Sequence, residues 1–336
     1  MQGMILAGGL STRLYPLTLD VPKALVPVMD RPVVDHVMEY LHRFGVCDLV
    51  INVHYFAAAV EAHIADGSTW DVRMAYLREP QLLGSAGAVK QVQERFTETF
   101  VVIGCDDVTA IDLRAAVAFH RDHRAEATIV LASASDVTQY GAVVTDSGGR
   151  ILGFQEKPAK GTERSNLVNT GVYVFEPSVL QRIPAKQFYD FGKQVFPEML
   201  AAGARFFGMH QDAYWCDIGT LHEYRRVHAD ALAGAVQLRP GEGATISDGV
   251  LIGHKAAVDP SARLLAPLCI GAGSSIGVGA AVSSCILWPE VAIGHGASVS
   301  NAVLGSRTVV EAGSVVEGGE YPCGARVSTE CSGRTL

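Results

Sequence analysis

Up to about Ala235 the chain alternates short apolar runs with stretches in which apolar residues recur every three or four positions. Ile5-Leu6, Leu49–Val53, Val72–Leu77 and Phe100–Ile103 are brief, largely aliphatic and bounded by polar or turn-forming residues, which predicts strands. Between the first two, Pro32 is followed by Val34, Val37, Met38 and Leu41, with Gly45 just beyond. Proline at the start, one apolar stripe and glycine past the end predict a helix. Asp112 reads as the N-cap of another helix, whose stripe is Leu113, Ala116, Val117 and His120. Strands alternating with helices in this way predict a doubly wound, mainly parallel α/β sheet. Gly141–Thr145 and Ile151–Glu156 then flank Asp146-Ser147-Gly148-Gly149, a hairpin turn signal. A last helix follows Gly219-Thr220 and fades near Ala235, and Leu238–Gly243 reads as a linker.

Past the linker the period becomes six. Aliphatic residues recur at Ile246, Ile252, Val258, Leu264, Ile270, Ile276 and Val282, and glycine follows at Gly253, Gly271 and Gly277. After an apparent insertion at Cys285–Val291 the repeat resumes at Ile293 and Val299, and it shifts again through Val303, Val309 and Val315. A hexapeptide period predicts a left-handed parallel β-helix, three repeats to each triangular coil. The expected domains are therefore residues 1–235 and 236–336. Stacked coils leave apolar ends, so a homo-oligomer is expected. His254 and His295 fall on these coils and read as turn residues; acyltransfer by such a histidine is the competing reading, and it would require an acyl donor site.

A length of 336 residues suits two domains. The net charge of −8 argues against nucleic acid or an anionic membrane as a partner. An anionic substrate then needs a locally basic pocket, which Arg13, Lys23 and Lys157 could form. The seven cysteines are scattered. With no signal-peptide pattern they read as reduced thiols of a cytoplasmic protein. No apolar run approaches the length of a membrane span.

The most informative stretch is residues 4–28. A strand ending at Leu6 runs into Ala7-Gly8-Gly9, then Ser11-Thr12-Arg13, and ten residues later Pro22-Lys23. Glycines let backbone N–H groups approach a phosphate, and the two cations would hold a polyphosphate. This is neither the Gly-x-x-x-x-Gly-Lys-Ser/Thr loop nor the Gly-x-Gly-x-x-Gly dinucleotide fingerprint. It resembles the opening motif of the sugar-1-phosphate nucleotidyltransferases, Leu-Ala-Gly-Gly-x-Gly-x-Arg-Leu-x-Pro-Leu-Thr…Pro-Lys. Ser11 departs from it, standing where that family usually has glycine; a positive φ would be costly there.

The resemblance continues in order along the chain, and it implies a Rossmann-like (GT-A-like) catalytic domain followed by the β-helix. Leu6, Ala7, Gly8, Gly9, Ser11, Thr12, Arg13 and Lys23 would bind the nucleotide. Asp106, in Gly104-Cys105-Asp106-Asp107, and Asp217, in Trp215-Cys216-Asp217-Ile218-Gly219-Thr220, would hold Mg²⁺ or Mn²⁺. Glu156-Lys157-Pro158 resembles the family's Glu-Lys-Pro, and Asn169-Thr170-Gly171-Val172-Tyr173 its Asn-x-Gly-x-Tyr. Glu156, Asn169, Gly171, Gly87 and Gly141 would then line the sugar and Lys157 would hold its phosphate.

Glu79 to Gly87 resembles the base- and sugar-reading loop, in a form similar to the mannose-1-phosphate guanylyltransferase branch, with Gly84 and Ser85 on the nucleotide. Guanine offers two adjacent donors to one carboxylate, so Glu79 is expected to read GTP. The expected reaction joins a nucleoside triphosphate, GTP favoured, to a sugar-1-phosphate, mannose-1-phosphate favoured. Glucose-1-phosphate with dTTP, UTP or ATP is an alternative, as is a sugar-nucleotide-binding regulatory homologue without catalysis. The presence of Arg13, Lys23, Asp106 and Asp217 together favours the enzyme.

Overall fold

A computed structural model of the chain describes residues 1–328. They form two compact units, Met1–Gly9 with Val37–Asp217, and Leu10–His36 with Ile218 onward.

The first unit is built on a mixed sheet of nine strands. Seven lie in the order Ile151–Glu156, Gly141–Thr145, Leu167–Phe175, Phe100–Gly104, Gln2–Leu6, Asp48–Val53, Arg73–Arg78. Ala127–Ser133 pairs with Leu167–Phe175, and Phe206–His210 lies parallel beside it. The last four strands of the row are mutually parallel. Those at its centre are covered on both faces, which is why they read as unbroken apolar runs: Met4, Ile5, Leu49, Ile51 and Val101–Ile103 are fully buried. Against the sheet, Phe100, Phe175, Phe191, Phe196 and Phe206 form one aromatic core.

Local signals are realised where sequence chemistry demanded them. Asp112 Oδ1 accepts from Arg114 N and Ala115 N at 2.9 and 3.1 Å, opening the helix Leu113–Asp122. Asp146 Oδ1 accepts from Gly148 N and Arg150 N, both at 2.9 Å, and turns the hairpin.

The register places Leu6 beside Asn52 and Gly104, and Val53 beside Arg78. Ala7–Gly9, Glu79 and Cys105–Asp107 therefore all leave the sheet along one edge. That is the carboxyl end of the parallel strands, where open α/β sheets bind ligands.

In the second unit the chain after Gly9 makes tight turns at Thr12–Leu14 and Lys23–Leu25. Buried Leu14, Leu17, Ala24 and Val26 anchor them. The helix Leu221–Leu232 opens on Thr220, whose Oγ1 accepts from Glu223 N at 3.2 Å. Tyr224 on that helix donates its hydroxyl to Pro27 O at 2.6 Å and accepts from Trp288 Nε1 at 2.8 Å.

The rest of the unit is a parallel β-helix with three ladders of short strands. Its first coil is three full hexapeptides, Leu251 lying on Cys269. Later coils are one residue shorter, as the pairs Cys269–Ile286 and Ile286–Val303 show. This corrects the sequence reading: Cys285–Val291 holds no insertion, and the corner between Val282 and Leu287 is instead one residue short. A five-residue step also follows Val299, so the residues turned inward are Leu304, Val310 and Val316, exposed by 0 %, 0 % and 3 %, whereas Val315 is 45 % exposed.

Candidate active site

Glu79, directly after the strand Arg73–Arg78, is only 4 % exposed. Its Oε2 accepts from Asn52 Nδ2 at 2.5 Å, and its Oε1 from Leu83 N at 3.2 Å and Gln91 Nε2 at 3.3 Å. Asn52 in turn accepts from Ala7 N at 2.8 Å through Oδ1. One buried amide thus ties the start of the Gly-rich loop to the acid. A Cβ on Gly8 would lie 2.6 Å from Asn52 Nδ2 and 3.0 Å from Glu79 Oε2, so only glycine fits against this pair.

The helix Gly84–Gln91 follows. Gly84 has φ +75°, and a Cβ there would meet Tyr189 O at 2.5 Å. Ala86 N and Gly87 N both donate to that carbonyl, at 3.0 and 2.9 Å. Ser85 Oγ donates to Asp190 Oδ2 at 2.9 Å and accepts from Phe191 N at 3.0 Å. The loop is therefore held by the segment around Asp190. Glu156 lies against the same segment: a Cβ on Gly192 would be 2.6 Å from its Oε2, and one on Gly141 3.3 Å away. Desolvation, then the charge of Asp190, raise the Glu156 carboxyl above its ordinary value. Lys157, the next residue, is exposed and adopts φ +47°.

The carboxylates gather at the end of the strand Phe100–Gly104. Asp107 is 6 % exposed and lies opposite Asp217 in a two-stranded ribbon of Asp107–Thr109 and Trp215–Asp217. Its Oδ2 accepts from Gly104 N at 3.0 Å and its Oδ1 from Trp215 Nε1 at 3.1 Å. A Cβ on Gly104 would stand 2.8 Å from Asp106 Oδ1 and 2.7 Å from Asp107 Oδ2, so glycine is required beneath the pair. Cys105, between Gly104 and Asp106, is 3 % exposed. Asp106 and Asp217 are half-buried. Gly171, at φ +82°, passes 3.0 Å from Asp107 Oδ2 when measured from its ideal Cβ position. Asn169 spans the bulge there, accepting from Gly171 N at 2.9 Å and donating to Tyr173 Oη at 3.0 Å. Burial chiefly raises the Tyr173 hydroxyl, and the nearby Asp190, Asp107 and Glu156 add to it.

These residues of the first unit are drawn to one edge of the sheet. Ser11, Thr12, Arg13 and Lys23 belong to the second unit. Ser11 there has φ +55°, the left-handed conformation that the sequence flagged as costly, and its carbonyl accepts from Thr18 Oγ1 at 2.9 Å. Arg13 is exposed and Lys23 half-buried.

A family model for nucleotidyl transferases matches residues 2–234. The chain belongs to that family. It is 33 % identical over 329 residues to a UTP–glucose-1-phosphate uridylyltransferase of Synechocystis, covering 88 % of this chain and 85 % of that one. It is 31 % identical over 299 residues to a mannose-1-phosphate guanylyltransferase of Mycobacterium tuberculosis, covering 88 % and 82 %. Among solved structures, HddC from Yersinia pseudotuberculosis superposes with TM-score 0.59 at 25 % identity, over 67 % of this chain and 97 % of that one. A putative glucose-1-phosphate thymidylyltransferase from Bacillus anthracis gives TM-score 0.64 at 24 % identity, over 71 % and 97 %. This nucleotidyltransferase is thus an enzyme acting on a nucleoside triphosphate and a sugar-1-phosphate.

Enzymes of this kind generally use a divalent metal. The chemistry of two carboxylates suits one: Asp217 ends one strand of the ribbon and Asp106 immediately precedes the other. Among the described residues no group of three or more His, Cys, Asp or Glu forms a closed cage. Two carboxylates completed by phosphate oxygens and water are what a hard divalent cation prefers. The six described cysteines are free thiols, and Cys331 lies outside the described residues. No helix among the described residues is long and apolar enough to cross a membrane.

Asn52, Asp190 and Trp215 carry much of this arrangement and were not singled out from sequence as site residues. Asn52 had a signal, a lone polar residue in the run Leu49–Val53. Asp190 had none that local pattern could supply, because its partner Ser85 is far away in the chain.

Proposed function

We propose that this nucleotidyltransferase joins GTP to mannose-1-phosphate. A phosphate oxygen of the sugar phosphate attacks the α-phosphorus, the α–β bridge breaks, and pyrophosphate leaves as GDP-mannose forms. The attacking phosphate is ionised at neutral pH, so no general base is needed. Catalysis is positioning and charge stabilisation.

Asp106 and Asp217 are proposed to hold Mg²⁺, which when bound neutralises charge on the phosphate oxygens. The gathering of these two acids around the Asp107–Trp215–Gly104 clamp is the observation that carries nucleotidyl transfer. Arg13 and Lys23 are assigned from the motif to the triphosphate and the leaving pyrophosphate, and Leu6, Ala7, Gly8, Gly9, Ser11 and Thr12 to its backbone cradle. Glu156, Asn169, Gly171, Gly87 and Gly141 would line the sugar and Lys157 would bind its phosphate. In this reading residues 1–235 carry catalysis and 236–336 assembly into a homo-oligomer in the cytoplasm.

UTP with glucose-1-phosphate is the second reading, and a specific observation favours it. Glu79 already accepts three protein hydrogen bonds. A carboxylate offers about four acceptor positions, so one remains where guanine would need two. The mannose assignment therefore leans on similarity to guanylyltransferases and not on Glu79. Pyrophosphate release across GTP, UTP, dTTP, ATP and CTP, each with mannose-1-phosphate and glucose-1-phosphate, separates the readings. Turnover with GTP and mannose-1-phosphate supports the first, preference for UTP and glucose-1-phosphate the second. Loss of turnover on chelation with EDTA, and recovery with Mg²⁺, would support the metal assignment.

A further inference from the structure

At the opposite edge of the first unit's sheet lies a cavity of about 460 Å³ lined by His120, Arg121, Arg124, Ala125, Glu176, Ser178 and Arg205. It forms where Phe175 meets Phe100 and Ala127 in the sheet and Phe206 begins beside Ala127. This is the amino end of the strands whose carboxyl ends carry Asp106 and Asp107.

Of the two acids near the cavity, Glu126 is ion-paired, while Glu176 is hydrogen-bonded and keeps its charge. Glu176 Oε1 accepts from Thr99 Oγ1 at 2.6 Å and faces His120 Nε2 at 3.2 Å. Glu126, behind the rim, takes Arg182 at 3.0 Å and Arg205 at 3.9 Å. Arg205 is also pinned by its Nε–H, which donates to Arg124 O at 2.6 Å. Arg121 and Arg124 make no ion pair among the described residues. His120 forms the buried floor, its other nitrogen 2.9 Å from Thr128 Oγ1. Desolvation, the largest influence, lowers its pKa and keeps the imidazole neutral at pH 7. On a chain of net charge −8, this concave site gathers three guanidinium groups, two without ion pairs among the described residues and a third held in place, against the one carboxylate of Glu176.

We propose that this cavity binds a small phosphate-bearing anion, separate from the substrates of the catalytic edge. Guanidinium groups match phosphate oxygens in charge and in fork geometry. The volume suits a phosphorylated small molecule better than a bare ion, within the usual size of ligand sites. Ser178 supplies a hydroxyl and Glu176 a carboxylate that would accept from a ligand hydroxyl, so a sugar or polyol phosphate fits the lining.

The test is calorimetric titration of inorganic phosphate and of a hexose 6-phosphate into the full chain. Wild type is compared with Arg121→Ala/Arg124→Ala and with Lys157→Ala. The double variant removes only exposed side chains without ion pairs, and its folding is checked by its melting temperature. The expected result is hexose 6-phosphate binding that weakens about tenfold or more in the double variant and persists in Lys157→Ala. Inorganic phosphate alone binding in that pattern would overturn the sugar-phosphate class. Equal binding by wild type and the double variant, loss in Lys157→Ala only, or no heat from either anion with wild type would overturn the site.

Discussion

Trp215 donates its indole N–H to Asp107 Oδ1 at 3.1 Å, across the ribbon that also sets Asp107 opposite Asp217. The other oxygen of Asp107 holds Gly104 N. Asp107 is therefore a clamp between the end of a sheet strand and the segment carrying Asp217, and it fixes its neighbour Asp106 between them.

Removing that clamp leaves two donors without their acceptor. Charged hydrogen bonds contribute about 1.5–3 kcal/mol each, so losing both in Asp107→Ala is expected to cost about 3–6 kcal/mol in urea unfolding. Asp107→Asn, which keeps one acceptor oxygen, should cost less. Equal stability of all three proteins would contradict the clamp.

Glu79→Gln replaces one acceptor oxygen with a donor facing other donors. Stability is expected to fall by about 1–3 kcal/mol, because a buried pair becomes two opposed donors. Relative use of GTP and UTP by the same variant reports on base reading. A changed ratio at similar stability would mean that Glu79 touches the base; an unchanged ratio with lower stability fits the hydrogen bonds seen here.

His228 gives the second unit an acid sensitivity. Its ring is buried between Pro27 O at 3.3 Å and Cys269 Sγ at 3.2 Å, and burial pushes its pKa down to about 3. The unfolded chain takes up a proton near pH 6.5, which the folded state refuses. Stability should therefore fall as pH drops below about 6.5, by up to about 1.4 kcal/mol per pH unit, and level off near 3. Denaturation of His228→Gln across this range should show a shallower slope, with the like contribution of buried His120 remaining. A variant with the wild-type slope would assign the proton uptake elsewhere.

How far the sequence could be read depended on whether a signal was local. Asp112 and Thr220 cap helices through hydrogen bonds to N–H groups two or three residues away, and both were legible. The β-helix was legible as a period, but its later register was not. The chain offers Val303-Leu304, Val309-Val310 and Val315-Val316, so two adjacent phases both look apolar. Only the shortened corners decide between them. At the site, motif order located the acids, while Asn52–Glu79 and Ser85–Asp190 depend on contacts between distant segments that no local spacing encodes.

Glycines in the β-helix stand where the next coil passes. A Cβ on Gly271 would lie 2.6 Å from both Pro289 N and Trp288 C, backbone atoms that cannot swing away. Gly271→Ala is expected to destabilise the protein by about 1–3 kcal/mol, as overpacking does. Gly279→Ala, whose Cβ would meet nothing within 4 Å, is strained only by its φ of +66° and should cost less in the same denaturation experiment.

The most direct test of the carboxylate site is pyrophosphate release by wild type, Asp106→Asn and Asp217→Asn under the best substrate pair from the matrix. Both variants should keep the wild-type circular dichroism spectrum and melting temperature while turnover falls by about a hundredfold or more, the scale of losing a charge-stabilising contact. Folded variants that release pyrophosphate at the wild-type rate would contradict the assignment of Asp106 and Asp217 to nucleotidyl transfer.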